Sequence, residues 1–237
     1  MTHHHDDTSA AVPADHWEAR YAGADRVWSG KVNATTAAVV AELMAEAETN
    51  PEVGADSAPS AKAGSGTRRT AVDLGCGEGG DALWLAEQGL DALGIDISPT
   101  AVARASAEAE RRGVSARFEA HDLETWAPDG TYDLITASFL HSTVALSRRN
   151  ILRTAASAIA QGGHLVLVSH LGFPSWSGAK DHEAHNQFLT PEQELESLVL
   201  AEGEWTVVTS EIRRRRVTAP DGTPAELDDA VLVLRRN

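Results

Sequence analysis

The sequence predicts an α/β protein: a doubly wound, mostly parallel sheet of seven strands that ends in a C-terminal antiparallel hairpin. Three observations carry that prediction. From Arg69 to about His170, short apolar runs alternate with helical segments, as repeated strand–helix–strand units require. One of those runs, His164 to His170, is almost wholly apolar, the mark of a parallel strand buried on both faces. After it, Trp205 to Val217 and Ala225 to Arg235 read as two strands joined by the turn Ala219-Pro220-Asp221-Gly222.

Taken in order, residues 1–14 read as a disordered tail and 15–237 as a single domain. Residues 15–48 form an N-terminal segment followed by a helix, in which Val40, Leu43, Met44 and Ala47 recur at helical spacing. Residues 49–66 are rich in Pro, Gly, Ser and Ala and read as a flexible insertion. The core sheet occupies 67–237. Its first strand (Ala71, Val72, Leu74) runs into a glycine-rich turn and a helix stopped by Gly89. A second strand, Asp91 to Ile97, leads to a helix with Ser98 as N-cap, Pro99 in the first position and Gly113 at the end. A third, Ala116 to Ala120, precedes the loop HDLETWAPDG, and a fourth, Tyr132 to Ala137, precedes a helix from Ser147 to about Gln161. Gly162-Gly163 ends that helix before the fifth strand. Thr190-Pro191-Glu192-Gln193 is a capping box that starts one more short helix.

The chain has 237 residues, 20 Lys and Arg against 35 Asp and Glu, and a formal charge of −15. That balance argues against nucleic acid, whose binding rests on Lys and Arg neutralising phosphates, and against an anionic membrane surface. No apolar run is long enough to span a bilayer. The single cysteine, Cys76, can form no internal disulfide, which points to the cytoplasm. A small molecule is the expected partner, with the chain a monomer or homodimer.

The stretch that bears on function is Thr70 to Gly89, TAVDLGCGEGGDALWLAEQG. Glycines let a backbone turn tightly and approach a ligand, and the helix behind them directs its free N–H groups at the loop. Gly75, Gly77 and Gly80 satisfy G-x-G-x-x-G with Asp96 about twenty residues on, so a nicotinamide dinucleotide is one reading. Asp73 opposes it. An acid two residues before the first glycine repels a pyrophosphate and welcomes an ammonium group. Asp122, after the third strand, is placed to accept from an exocyclic amine.

The order VDLGCGEGG, GIDIS, HDLETW, YDLITASFLH and GGHLVLVSH, from Thr70 to about His170, resembles the sequential motifs of class I S-adenosylmethionine (SAM)-dependent methyltransferases. WEARYAGADRVWSGKVN is similar, more loosely, to the cofactor-covering segment of tellurite-resistance and thiopurine methyltransferase-like proteins. The resemblance implies a Rossmann-like methyltransferase fold and SAM as cofactor, released as S-adenosyl-L-homocysteine (SAH). It implies that Asp73 binds the methionine ammonium, with Gly75, Cys76 and Gly77 passing beneath the amino acid moiety. It further implies that Asp96 accepts both ribose hydroxyls, Ile97 packs on the adenine, Asp122 takes its amine and the Leu123 N–H a ring nitrogen. Ser138 helps to hold the methionine end, and Tyr21 and Trp28 close over the cofactor. A strand-end Asp taken singly is as readily a helix cap, Cys76 is better read as a small residue than as a nucleophile, and Trp17 is read as core.

Methyl transfer needs alignment and exclusion of water; an oxygen or amine acceptor also needs a base. His141, after the fourth strand, and His170, ending the fifth, are the candidate catalytic bases, each with the alternative of a hydrogen-bonded loop histidine. Phe139, Phe173 and Trp176 are the candidate acceptor contacts. Asp181, His182 and His185 do not form a recognised metal motif, and no metal is expected. Arg213 to Arg216 read as a solvated edge strand whose alternate arginines face opposite sides. The expected activity is methylation of a small molecule, with a soft sulfur, selenium or tellurium acceptor suggested by the N-terminal resemblance. The alternatives are O- or N-methylation of a metabolite, a non-catalytic SAM-binding module, and an NAD-dependent oxidoreductase, which Asp73 disfavours.

Overall fold

Strand order sets the site. In the computed structural model, which describes residues 12–49, 68–172, 176 and 188–237, seven strands form one sheet in the order β3-β2-β1-β4-β5-β7-β6. They are β1 (Thr70–Leu74), β2 (Asp91–Asp96), β3 (Ala116–Ala120), β4 (Tyr132–Ser138), β5 (Ile159–His170), β6 (Trp205–Thr218) and β7 (Pro224–Arg236). β1 to β5 pair in parallel; β7 pairs antiparallel with both β5 and β6. The chain winds outward from β1 through β2 to β3, then returns to place β4 on the other side of β1. That reversal opens a crevice at the carboxyl ends of β1 and β4, where open α/β sheets bind ligands.

The helices are α1 (Pro13–Ala22), α2 (Ala34–Thr49), α3 (Gly80–Glu87), α4 (Pro99–Arg112), α5 (Arg148–Ser157) and α6 (Pro191–Leu198). Successive residues of a strand point to opposite faces, and both faces are covered here. Leu165 and Leu167 join Ile151 and Leu152 of α5 on one side; Val166 and Val168 join Val39 and Val40 of α2 on the other. The uninterrupted apolar run in β5 follows from that double burial.

Local caps fix the ends that matter. The Ser98 side chain accepts the Ala101 N–H at 3.2 Å to start α4, and Gly113, left-handed at φ 66°, ends it. Thr190 and Gln193 form the reciprocal capping box of α6. Asn33 Oδ1 accepts the Thr35 and Thr36 N–H groups at 2.9 and 3.0 Å, opening α2 beside the site. The turn of the C-terminal hairpin is closed by Ala219 N–H to Thr223 O at 2.8 Å.

Three boundaries differ from the sequence expectation. Pro13 and Ala14 belong to a helix rather than to the tail, because α1 is held by contacts to α4 that the local sequence does not show. α5 ends at Ser157 rather than near Gln161, and Ile159 already pairs with Tyr132. Between that pair and Leu134–His164 the register shifts, and Gly163 lies where a Cβ would meet three carbonyl oxygens at 2.9 to 3.0 Å. The two glycines thus serve a bulge inside β5. Residues 1–11 and 50–67 lie outside the described residues, and with them all of the insertion expected at 49–66 except Thr49, which ends α2.

Candidate active site

A cavity of about 690 Å³ occupies the crevice. Its floor is the glycine turn after β1. The Gly75 and Cys76 N–H groups both donate to Ile95 O, at 2.8 and 2.9 Å, which ties the turn to the end of β2. Gly77 is left-handed at φ 53°, and a Cβ there would lie 3.0 Å from both Tyr21 Oη and Trp28 Cδ1. Glycine at this position therefore answers two demands at once, the turn and the close seat of the N-terminal segment.

Asp96, at the end of β2, is buried and accepts Gly77 N–H and Ser98 N–H, each at 2.9 Å. Burial pushes its carboxyl above the usual range, and backbone donors from Ser98, Gly77 and Ile97 oppose that shift. Asp73, in β1, accepts the Thr136 hydroxyl at 2.8 Å. Beside it stands Asp81 of α3, a residue the sequence reading did not single out. Its Oδ1 accepts Asn33 N–H at 2.7 Å, while its Oδ2 is buried without a hydrogen-bond partner among the described residues. The Thr36 and Ser138 hydroxyls near it bond to each other at 2.7 Å. Burial raises the carboxyls of both Asp73 and Asp81, and the charge of Asp81 adds to the effect on Asp73. Burial likewise pushes the Cys76 thiol up, away from a reactive thiolate.

The N-terminal segment roofs the cavity through a clamp that sequence reading also missed. Buried Glu78 accepts Val27 N–H at 3.1 Å and Trp28 N–H at 2.9 Å, and pairs with Arg104 at 3.0 Å. Arg104 in turn donates to Tyr21 O and Ala24 O at 3.0 and 2.6 Å. Glu18 of α1 takes Ser98 Oγ and Thr100 N–H, at 2.5 and 3.1 Å, at the start of α4. Trp28 Nε1 donates to Tyr21 Oη at 2.8 Å, yet the Trp28 side chain stays 46% exposed over the opening. Trp17, read as core from the sequence, is half-buried, lines the cavity and donates to Ser142 Oγ at 3.3 Å.

Of the residues singled out from the sequence, Tyr21, Trp28, Asp73, Gly75, Cys76, Gly77, Asp96, Ile97, Asp122, Leu123, Ser138, Phe139, His141 and His170 line this one cavity. Asp122 is exposed at its rim, where Oδ1 accepts Glu124 N–H at 2.9 Å. Phe173, Asp181, His182 and His185 lie outside the described residues; Trp176 is exposed and does not line the cavity. The two histidines differ sharply. His141 Nε2 accepts the His170 N–H at 3.3 Å, so its lone pair is engaged, and burial with the Arg148 charge lowers its pKa to about 3. His141 is therefore a neutral ring with its proton on Nδ1, a geometry unsuited to a base. His170 keeps Nε2 clear of hydrogen bonds among the described residues.

Residues 71–163 match a family model described as a methyltransferase domain. Over that stretch the chain is similar to methyltransferase domains. Ribosomal protein L11 methyltransferase of Thermus thermophilus is 37% identical over 94 residues, 38% of this chain and 37% of that protein. A 2-heptyl-1-hydroxyquinolin-4(1H)-one methyltransferase of Mycobacteroides abscessus is 32% identical over 100 residues, 41% of this chain and 44% of that protein. The match thus spans less than half the length of these relatives. Among solved structures, one described as the conversion of a disulfide bond into a thioacetal group during echinomycin biosynthesis covers 94% of this chain and 93% of its own, at 22% identity and TM-score 0.64. Magnesium protoporphyrin IX methyltransferase from Synechocystis PCC 6803 with bound SAH has the same coverages, at 16% identity and TM-score 0.58. At these identities the likenesses concern the fold alone, and they run over nearly the whole chain. Among the described residues no helix is long and apolar enough to cross a membrane.

Proposed function

We propose that this chain is a SAM-dependent methyltransferase acting on a small molecule. The observation that carries the reading is the buried acid pair, Asp73 and Asp81, both lining the cavity, with Asp81 Oδ2 buried without a hydrogen-bond partner among the described residues. A buried acid without a counter-ion is costly, and the cavity supplies none from the protein at this point. The methionine ammonium of SAM supplies it. Asp96, at the end of the neighbouring strand β2, keeps lone pairs free for ribose hydroxyls while its backbone bonds hold it in place. Asp122 at the rim is left to meet the adenine amine, with Ile97 packing on the ring and the Leu123 N–H meeting a ring nitrogen. A dinucleotide fits poorly, since its pyrophosphate would face the same two acids. The soft sulfur, selenium or tellurium acceptor expected above rests on the N-terminal resemblance.

Calorimetric titration with SAM, SAH and NAD tests the reading. SAH binds and NAD does not; binding of NAD alone would sink it. The acid pair adds a pH signature. In the ligand-free chain, burial raises both carboxyls, so the folded state holds more protons than the unfolded state and loses stability as pH rises through the raised values. An ammonium favours the charged carboxylates, so SAH binding releases protons. The SAH-induced rise in Tm therefore grows as pH rises above the ordinary carboxylate range and through the raised values. Proton uptake on binding, measured in buffers of different ionisation enthalpy, is the contrary result.

A further inference from the structure

Near the acid pair, across the start of α2, β5 and β7 bring together residues from four elements. Their antiparallel register sets His170 opposite Asp229. Asp229 is fully buried; its Oδ2 accepts Thr35 Oγ1 at 2.8 Å and Arg215 Nε at 2.7 Å. Its Oδ1 has no hydrogen-bond partner among the described residues and stands 3.8 Å from His170 Nδ1. That distance lies within ion-pair range and beyond a hydrogen bond. A buried carboxylate oxygen left unsatisfied is costly, and an imidazole Nδ1–H moving in by less than an ångström removes that cost.

The His170 ring is held in plane. It stacks on Phe139 at 3.8 Å between centroids and 11° between planes, and His141 lies 5.8 Å away at 13°. Phe139 adopts φ 52°, rare for a bulky residue, fixed by its N–H to Val168 O at 2.7 Å and its carbonyl to the His141 N–H at 2.7 Å. The Arg215 guanidinium caps the other side of Phe139, 5.4 Å from the ring centroid. Its Nε is committed to Asp229, and its Nη groups make no hydrogen bond among the described residues while Arg215 lines the cavity. Arg213 and Arg214 differ, each being paired with acids, Glu42 and Asp228.

We propose that His170 is the catalytic base, with Asp229 as its positioning residue and Arg215 as an anion anchor, and that the methyl acceptor is a weakly acidic hydroxyl compound such as a phenol or enol. The proposal rests on the methyltransferase reading and names its acceptor. The acceptor oxygen bonds to the methyl carbon as the carbon–sulfur bond breaks with its electron pair passing to sulfur. The hydroxyl proton passes to His170 Nε2, and from the imidazolium to solvent afterwards. A thiol ionises near neutral pH unaided and has no need of this dyad; a hydroxyl does. The charged and titratable groups around the ring are Asp229 on β7, Arg215 on β6, His141 after β4, and Arg148 on α5, which donates to Ser169 Oγ at 2.9 Å.

The test is SAM turnover by the whole chain on phenols and their matching thiophenols. Phenols are methylated, and His170→Gln lowers their kcat about 100-fold or more, within the range general bases supply, with KM changed less than about threefold. Thiophenol rates change little. Asp229→Asn lowers the phenol kcat about tenfold with KM changed less than about threefold, since the imidazole loses the carboxylate that orients it. Arg215→Gln raises KM about tenfold for phenols that carry a carboxylate. For an Asp229→Asn chain that fails to fold, the NMR shifts of the His170 ring nitrogens in the SAH-bound parent protein decide, with the proton on Nδ1 facing Asp229 and Nε2 bare expected. A proton on Nε2, an undiminished His170→Gln rate, equal losses on thiophenols, or no phenol turnover by a chain that binds SAH overturns the proposal and leaves the cofactor reading standing. Failure to bind SAH overturns the cofactor reading instead.

Discussion

Asp96→Ala weakens SAH binding by about 100-fold or more. Two charge-assisted hydrogen bonds to ribose hydroxyls, each about 1.5–3 kcal/mol, are lost with the carboxylate, and every 1.4 kcal/mol is tenfold in affinity. The substitution also strands two backbone donors. Gly77 N–H and Ser98 N–H both end on Asp96, one in the glycine turn and one at the start of α4. Without that acceptor the turn is no longer tied across to the next helix, so Tm falls as well. Asp96→Asn separates the two effects. The amide keeps the shape and one acceptor oxygen, so it restores part of the stability while binding stays weakened by about tenfold or more. Calorimetry on the three chains, with thermal unfolding as the control, reads both quantities. SAH affinity in Asp96→Ala within threefold of the unsubstituted chain would remove Asp96 from the binding site.

The middle of the sheet was legible because its strands are buried on both sides. β1, β2, β4 and β5 announce themselves as apolar runs, and the caps Ser98, Thr190 and Gly113 mark helix ends by chemistry confined to a few residues. The acids at strand ends were legible for the same reason: Asp73 and Asp96 interrupt apolar stretches at one end of the sheet. What the sequence hid is non-local. Glu78 meets Val27 and Trp28 across 51 and 50 residues, and Arg104 meets Tyr21 across 83, contacts that leave no periodic trace. Helix α1 is poorly amphipathic by itself and takes its stability from those contacts, which is why PADHWEARYA does not read as a helix. Asp229 left a signal that went unread. In LDDAVLVLRR it falls in step with Val231 and Val233, so an acid occupies a position whose neighbours along that face are fully buried. Arg215 was harder to find, because a run of four arginines disguises the one that turns inward to the cavity.

The roof should fail at its hinge pin before it fails anywhere else, and Glu78→Ala tests that. One buried carboxylate anchors two consecutive backbone N–H groups of the roof and the guanidinium that holds two more of its carbonyls. Hydrogen bonds to charged groups contribute about 1.5–3 kcal/mol each and are not additive here, so a loss of about 3 kcal/mol in local stability is expected. That raises the open fraction of the segment on the order of 100-fold. Arg20, Arg26 and Lys31 offer tryptic sites along it, and cleavage there accelerates in Glu78→Ala in proportion to the open population. Global Tm changes less, because the β-sheet core does not depend on the clamp. SAH protects the unsubstituted chain from this cleavage, since Tyr21 and Trp28 meet over the turn that seats the ligand. Glu78→Gln, which keeps an acceptor for the N–H groups but not the charge for Arg104, falls between the two. Equal cleavage rates in Glu78→Ala and the parent chain, with SAH protecting both alike, would show that Glu18 on Ser98 and Thr100 holds the roof without Glu78.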